Sequence, residues 1–245
     1  MSWIDLAVGN ALGSNLANVG MVLAITALIA PLPIQRHLLT LEVPVLLFVT
    51  ALAGVLLWDA KLDFWEGLVL LGALVPVLLI MTFGKKDGPS EEEELEQLEN
   101  RKAMIWFISG LVLLIASAQV LVWGAQVVAL AFGVSPLIIG LTVIAIGTSL
   151  PELAASVMSA IKGHHDIALG NIIGSNIFNL LAVMAMPALI GQTQMESEVF
   201  DRDFVAMGGI TLVLAVAIVV DYLLRNKSKT QGEITSVKAN QGRLG

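Results

Sequence analysis

The chain contains no cysteine and one tyrosine, and only 13% of its residues are charged. The missing cysteines exclude disulfides and thiolate metal sites. So little charge excludes an ordinary soluble domain, which carries about 25% charged residues. A net charge of −7 gives no basic face for nucleic acid. The start has neither a basic n-region nor a small-residue cleavage motif, so no signal peptide is expected. Five tryptophans (Trp3, Trp58, Trp65, Trp106 and Trp123) form a thin aromatic belt, mostly near the ends of apolar stretches.

What is abundant is apolar: 57% of residues are hydrophobic and the mean hydropathy is +0.86. The hydropathy divides into seven candidate spans, near 4–30, 41–58, 64–83, 103–131, 135–161, 167–190 and 204–224. Each is long enough to cross about 30 Å of hydrocarbon as a helix. The expectation is an all-α integral membrane protein of about seven transmembrane helices. Residues 84–102 carry Glu91-Glu-Glu-Glu-Leu-Glu96 and read as a solvated linker; consecutive acids make no cage of fixed geometry, which disfavours a regulatory cation site. The chain then divides into 1–83 (three helices), the linker 84–102, 103–224 (four helices) and a polar tail, 225–245.

Basic residues orient the spans. With seven crossings, one side holds Arg36, Lys85, Lys86, Arg101, Lys102, Lys162, Arg225, Lys227, Lys229, Lys238 and Arg243, and the other only Lys61 and Arg202. This positive-inside bias places the start outside, and the linker and tail in the cytoplasm.

A polar stretch occurs twice inside these spans. Gly9-Asn-Ala-Leu-Gly-Ser-Asn-Leu-Ala-Asn18 recurs as Gly170-Asn-Ile-Ile-Gly-Ser-Asn-Ile-Phe-Asn179, a constant register of 161 residues. The copies lie in the first and sixth spans, five crossings apart, and therefore enter the membrane from opposite faces. Inverted-topology repeats of this kind build secondary transporters, with the binding site near the midplane where the copies meet.

The fifth span carries Gly147-Thr-Ser-Leu-Pro-Glu152. Glu152 is the one carboxylate placed well inside a span, where ionisable groups are expensive. Pro151 has no N–H to offer the carbonyl of Gly147, so the helix opens there. Thr148 and Glu152 are four apart and share a face, with Ser149 beside them. Hydroxyl, carboxylate and freed carbonyl oxygens suit a hard cation such as Ca²⁺ or Na⁺. Within the repeat, Ser14 and Asn18, and Ser175 and Asn179, are again four apart. Gly9 with Gly13, and Gly170 with Gly174, form small-xxx-small faces that would let another backbone approach closely. Packing glycines with polar glue is the plainer reading of one copy; duplication in inverted topology beside Thr148–Glu152 argues for a site. His37, His164 and His165 fall in connections and are expected to be solvated, and Glu42, Asp59, Glu66 and Asp221 lie at span ends.

The pair of motifs ending in Glu152 and Asn176 resembles the second α-repeat of the calcium/cation antiporter superfamily, and most of all the bacterial inner-membrane calcium/sodium antiporters related to potassium-dependent exchangers. The resemblance covers the chain to about Arg225. It implies ten helices in two inverted halves, of which this chain matches helices three to nine, and a multi-pass protein of the inner (plasma) membrane. It also implies exchange of Ca²⁺ for Na⁺ (or H⁺ or K⁺), with these ions as substrates and no cofactor or enzymatic activity. Its implied ligands are Thr148, Ser149, Glu152, Ser175 and Asn179, with backbone oxygens at Ala145 and Gly174, and Gly13, Ser14 and Asn18 as first-half matches. The first-half counterpart of Thr148–Glu152 would precede Met1, so the chain is expected to be incomplete and to need an upstream Pro-Glu segment for exchange. A non-transporting membrane scaffold that packs or dimerises through its glycine faces is the alternative. An intramembrane hydrolase is disfavoured, because no histidine or second acid lies deep beside a nucleophile.

The orientation is testable in this cysteine-free chain. A cysteine introduced by Ser90→Cys should resist an impermeant thiol reagent outside intact cells and react once the membrane is opened. Labelling from outside would reverse the orientation while leaving the repeat untouched.

Overall fold

The computed structural model describes residues 3–84, 100–133, 145–191, 193–195 and 198–241. The helix α1 runs from Trp3–Ala17 through a π-helical turn, Asn18–Leu23, into Ala24–Ile29. A second π turn, Leu38–Glu42, opens α2, which continues as Val43–Leu56. Helices α3 (Phe64–Phe83) and α4 (Asn100–Ala131) follow. Helix α5 is broken into Ala145–Thr148 and Leu150–Ile161. Helix α6 comprises His165–Phe178, the π turn Asn179–Val183 and Ala185–Ile190. Helix α7 begins with a π turn, Val199–Phe204, and continues as Val205–Gln241.

Among the described residues six helices are long and apolar enough to cross a membrane, and the second piece of α5 is a shorter apolar helix. A small backbone pairing decides whether α5 counts as a crossing. Lys61–Leu62 (β1) pairs antiparallel with Thr193–Gln194 (β2), and Met195 N–H donates to the Ala60 carbonyl at 2.8 Å. The two connections therefore lie on one face of the membrane. Between them the chain passes through α3, α4 and α6, and a return to the same face needs an even number of crossings. Helix α5 supplies the fourth. The protein is thus a seven-crossing helical membrane protein, and α1 and α6 enter from opposite faces. The two-residue strands were not expected; they let two adjacent connections satisfy each other's backbone groups.

The repeat extends into the backbone. The π turns of α1 and α6 start at Asn18 and Asn179, and those of α2 and α7 at Leu38 and Val199, each pair 161 residues apart. Thr50 and Thr211, in the same register, each donate to the carbonyl four residues back, at 2.8 and 2.9 Å. Such back-bonding satisfies a hydroxyl within its own helix, which hydrocarbon requires.

The centre of the protein is α6, with 61% of its apolar window buried, packed against α1 and α2. Ile172, Ile173, Ile177, Leu180 and Leu181 of α6 are fully buried, with Leu12 of α1, Leu46 of α2 and Met207 of α7. Close approach of α3 to α6 depends on Gly67, where a Cβ would come within 2.8 Å of the Ala188 Cβ. Helix α4 has none of its window buried and is apolar on all sides, as a lipid-facing helix is. Asp63 caps α3 in a reciprocal capping box with Glu66, whose carboxylate accepts from Asp63 N–H at 2.7 Å.

Several expectations are corrected. Beyond its apolar span the last helix continues to Gln241 through the polar tail, with an Asp221–Arg225 ion pair at 2.6 Å. Glu42 is not an interfacial acid: it is 1% exposed, with His37 Nε2 at 3.5 Å. His165 is half-buried at the start of α6 rather than solvated. The acidic run 91–96 lies outside the described residues.

The β1–β2 register yields a test. Lys61 and Gln194 are Cα partners, a separation a disulfide can bridge. The double variant Lys61→Cys/Gln194→Cys should cross-link on mild oxidation and run as a compact species on non-reducing gels. Failure to cross-link would remove the argument for a fourth crossing between these connections.

Candidate functional site

The break in α5 follows from its proline. Ser149 has φ −94° and ψ 1°, outside helical values, and its N–H turns back to the Ile146 carbonyl at 3.0 Å. Helix resumes at Leu150 with Pro151 in its first turn, where a missing N–H costs nothing. Thr148 and Ser149 thus sit at the break, and Glu152 in the first turn of the next piece, where the helix dipole favours a negative charge. Gly147 permits the close approach of α4: a Cβ there would collide with the Val122 side chain.

Helix α5 is fastened to α6 through a residue that sequence reasoning passed over. Asn171 donates to Ser156 Oγ at 2.9 Å and to the Glu152 carbonyl at 3.3 Å. Across to α1, the Ser14 and Thr148 hydroxyls are 3.4 Å apart, and Thr148 makes a long contact of 3.5 Å to Asn10 Oδ1. Helices α1 and α6 are joined by four asparagines. Asn18 Nδ2 donates to Asn176 Oδ1 at 3.0 Å, and Asn179 Nδ2 donates to Asn15 Oδ1 at 3.0 Å. Because Asn15 and Asn176 are repeat mates, as are Asn18 and Asn179, this is one bond made twice in opposite senses. Asn15 Nδ2 adds a bond to the Asn176 carbonyl at 3.1 Å. Interhelical hydrogen bonds in membranes average about 0.6 kcal/mol each. The quartet therefore contributes little to holding the helices together and more to fixing which way its amides face.

Four buried side-chain atoms of this assembly have no hydrogen-bond partner among the described residues: Asn176 Nδ2 and, on expected ligands, Asn18 Oδ1, Ser149 Oγ and Glu152 Oε2. Buried polar atoms are ordinarily paired, so their clustering on expected ligands is informative. Ser175 and Asn179 are half-buried on α6, as are Gly13 on α1 and Gly174 on α6. Ala145 is the first described residue of α5. The described residues contain no group of three or more His, Asp or Glu suited to a metal; the assembly is oxygen-rich around a single carboxylate.

The structure thus joins Ser14 to Thr148, and Asn18 and Asn179 to Asn176 and Asn15. No hydrogen bond joins Glu152 to Ser175, although their helices pack together. The Gly170/Gly174 face is not a close-packing surface: a Cβ at Gly170 or Gly174, or at Gly9 in the first copy, would meet no heavy atom within 4 Å. Close approaches between helices lie at Gly54, Gly67 and Gly147 instead. Asn10, Asn15, Asn171 and Asn176 were missed as functional candidates. Their signal was available, since all four are identical between the copies.

Inverted repeats with broken helices, meeting in a polar cluster at their shared interface, define a secondary transporter. The model of the sodium/calcium exchanger protein family matches residues 2–83 and 102–239. The chain belongs to that family. It is 41% identical over 237 residues to CaxA of Alkalimonas amylolytica, covering 94% of this chain and 74% of that protein. It is 36% identical to the inner membrane protein YrbG of Escherichia coli strain K12, covering 86% and 68%. Among solved structures, the sodium-calcium exchanger NCX_Mj superposes with a TM-score of 0.73 at 29% identity, covering 86% of this chain and 67% of that one. The protein is a multi-pass protein of the plasma membrane.

The Gly147–Val122 approach gives a stability test. Gly147→Ala should destabilise the detergent-solubilised protein by about 1–3 kcal/mol, as overpacking does, read from its thermal unfolding midpoint. Adding Val122→Ala should restore most of the loss. Two losses that simply add would mean the helices do not meet there.

Proposed function

We infer that the protein exchanges Ca²⁺ for Na⁺, or for another monovalent cation, by alternating access. Glu152 is the charged ligand for which the competing ions alternate. Thr148, Ser149, Ser175 and Asn179 supply neutral oxygens from the second half, and Ser14 and Asn18 from the first. Backbone oxygens of Ala145, Gly174 and Gly13 complete the set. The observation that carries this reading is the coincidence of unpaired buried oxygens on Asn18, Ser149 and Glu152 with positions expected to bind a cation. Oxygen-only coordination suits Ca²⁺ and Na⁺ and disfavours softer metals. Coupling follows if the site cannot change faces empty: an uncompensated carboxylate at membrane depth is costly, and either ion relieves it. The name of NCX_Mj, a sodium-calcium exchanger, supports the same choice of ions.

The carboxylate decides the matter. Glu152→Gln keeps size and one carbonyl oxygen but loses the charge that offsets dehydration of a divalent ion. In vesicles containing the protein with the upstream Pro-Glu segment supplied, Na⁺-gradient-driven uptake of radioactive Ca²⁺ should fall at least a hundredfold, with helical content by circular dichroism unchanged. Glu198→Gln, at an exposed position, should transport as the parent does. Normal flux through the Glu152→Gln variant would refute the assignment.

A further inference from the structure

The reciprocal amide bonds do something that packing does not require. An asparagine amide is planar, with its oxygen and NH₂ on opposite sides of Cγ. Left free, it can turn either toward a neighbouring cation, and only the oxygen is a ligand. Asn18 and Asn179 each spend an N–H on an acceptor in the other repeat, Asn176 Oδ1 and Asn15 Oδ1, both at 3.0 Å. That bond commits the NH₂ to the α1–α6 interface and leaves the oxygen outside the bond. Asn18 Oδ1 is accordingly left buried and unpaired. Of the two acceptors, Asn15 is 1% exposed and is held by donating to the Asn176 carbonyl at 3.1 Å, whereas Asn176 Nδ2 is buried with no partner among the described residues. Asn176 is fully buried. The π turns begin on the two donors, Asn18 and Asn179. Each donor thus stands where the backbone is reset, and each acceptor three residues before it.

We propose that Asn15 and Asn176 are positioning residues that fix the amide oxygens of Asn18 and Asn179 toward the transported cation. Each repeat thereby orients a ligand of the other. Neither acceptor touches the ion; each acts through the amide it holds. Because both bonds cross the interface between halves, a shift of one half disturbs ligands of both. The proposal rests on the assignment of Asn18 and Asn179 as cation ligands.

The test separates orientation from packing. Asn176→Leu and Asn15→Leu keep volume and remove the acceptor; Asn176→Asp and Asn15→Asp keep shape and an acceptor oxygen. Ca²⁺ binding to the purified chain, with the upstream Pro-Glu segment supplied, is measured by equilibrium dialysis, and Na⁺-driven Ca²⁺ uptake in vesicles, with folded yield taken from gel filtration. In the leucine variants the dissociation constant and the transport KM should rise about tenfold, with maximal rate within about twofold of the parent. The aspartate variants should keep KM within about threefold. Unchanged Ca²⁺ affinity in folded leucine variants, or aspartate variants that fail as the leucine variants do, would overturn the proposal while leaving exchange intact. If the leucine variants do not fold, the aspartate pair decides alone: a tenfold loss of affinity there overturns it. A parent protein that neither binds nor carries Ca²⁺ would overturn the transport reading, and this proposal with it.

Discussion

The structure depends on the rule that hydrocarbon leaves no polar group to water. A soluble protein could leave Asn15, Asn18, Asn176 and Asn179 half-wet at a surface. Here three of the four are essentially without exposure, and the NH₂ groups of Asn15, Asn18 and Asn179 find acceptors in another helix. The acceptors they find are one another's, across the interface of an inverted repeat. That geometry constrains the rest: α1 and α6 must cross at the register that brings residue 15 to residue 179 and residue 18 to residue 176. The flanking isoleucines and leucines of α6 then fill the interface above and below.

The backbone is modified on the same principle. Membrane-spanning helices are ordinarily regular because each carbonyl must be bonded, yet this protein interrupts its helices at matched points: π turns at Asn18 and Asn179, and a break at Ser149. These three lie beside the polar cluster, whereas the π turns at Leu38 and Val199 open α2 and α7. An irregular backbone frees or redirects carbonyls, which is tolerated in a membrane only where protein or a cavity receives them. π turns inside helices are frequently found at functional sites. Placing them on the amide donors keeps both kinds of oxygen, side-chain and backbone, in one neighbourhood.

Much of this was legible in the residues. Hydropathy located six of the crossings to within a few positions, the start of the fifth lying outside the described residues, and the fixed register of 161 announced the inversion. Pro151 located the break in α5, because a missing N–H is a local chemical fact. What was not legible needed tertiary partners. A π turn adds one residue to a turn without altering hydropathy, so nothing in Asn18–Leu23 signals it. Glu42 looks interfacial by position, and only packing around the start of α2 buries it. The glycine faces carry the spacing of close-packed helices, but whether a partner fills them depends on where the other helices lie. The tail is polar by composition, and polarity does not forbid helix. Asn15 and Asn176 were visible as identities, yet an identity does not say whether a side chain binds an ion or holds one that does.

Identity between the copies also hides divergence in role. Asn10 and Asn171 occupy the same place in the repeat. Asn171 is a donor, tying the carbonyl of Glu152 and the hydroxyl of Ser156 so that the carboxylate-bearing turn is held against α6. Asn10 serves as an acceptor, through a long contact from Thr148 of the same broken helix. One helix, α5, is thus held by both repeats at once, by its Glu152 turn on one side and by Thr148 on the other. An amide suits both positions because it can donate or accept as its neighbour demands. A carboxylate at either would leave a second charge beside Glu152, and a hydroxyl could not bridge the two partners that Asn171 spans. The duplicated residue is the same; the chemistry it performs is set by which element the fold brings to it.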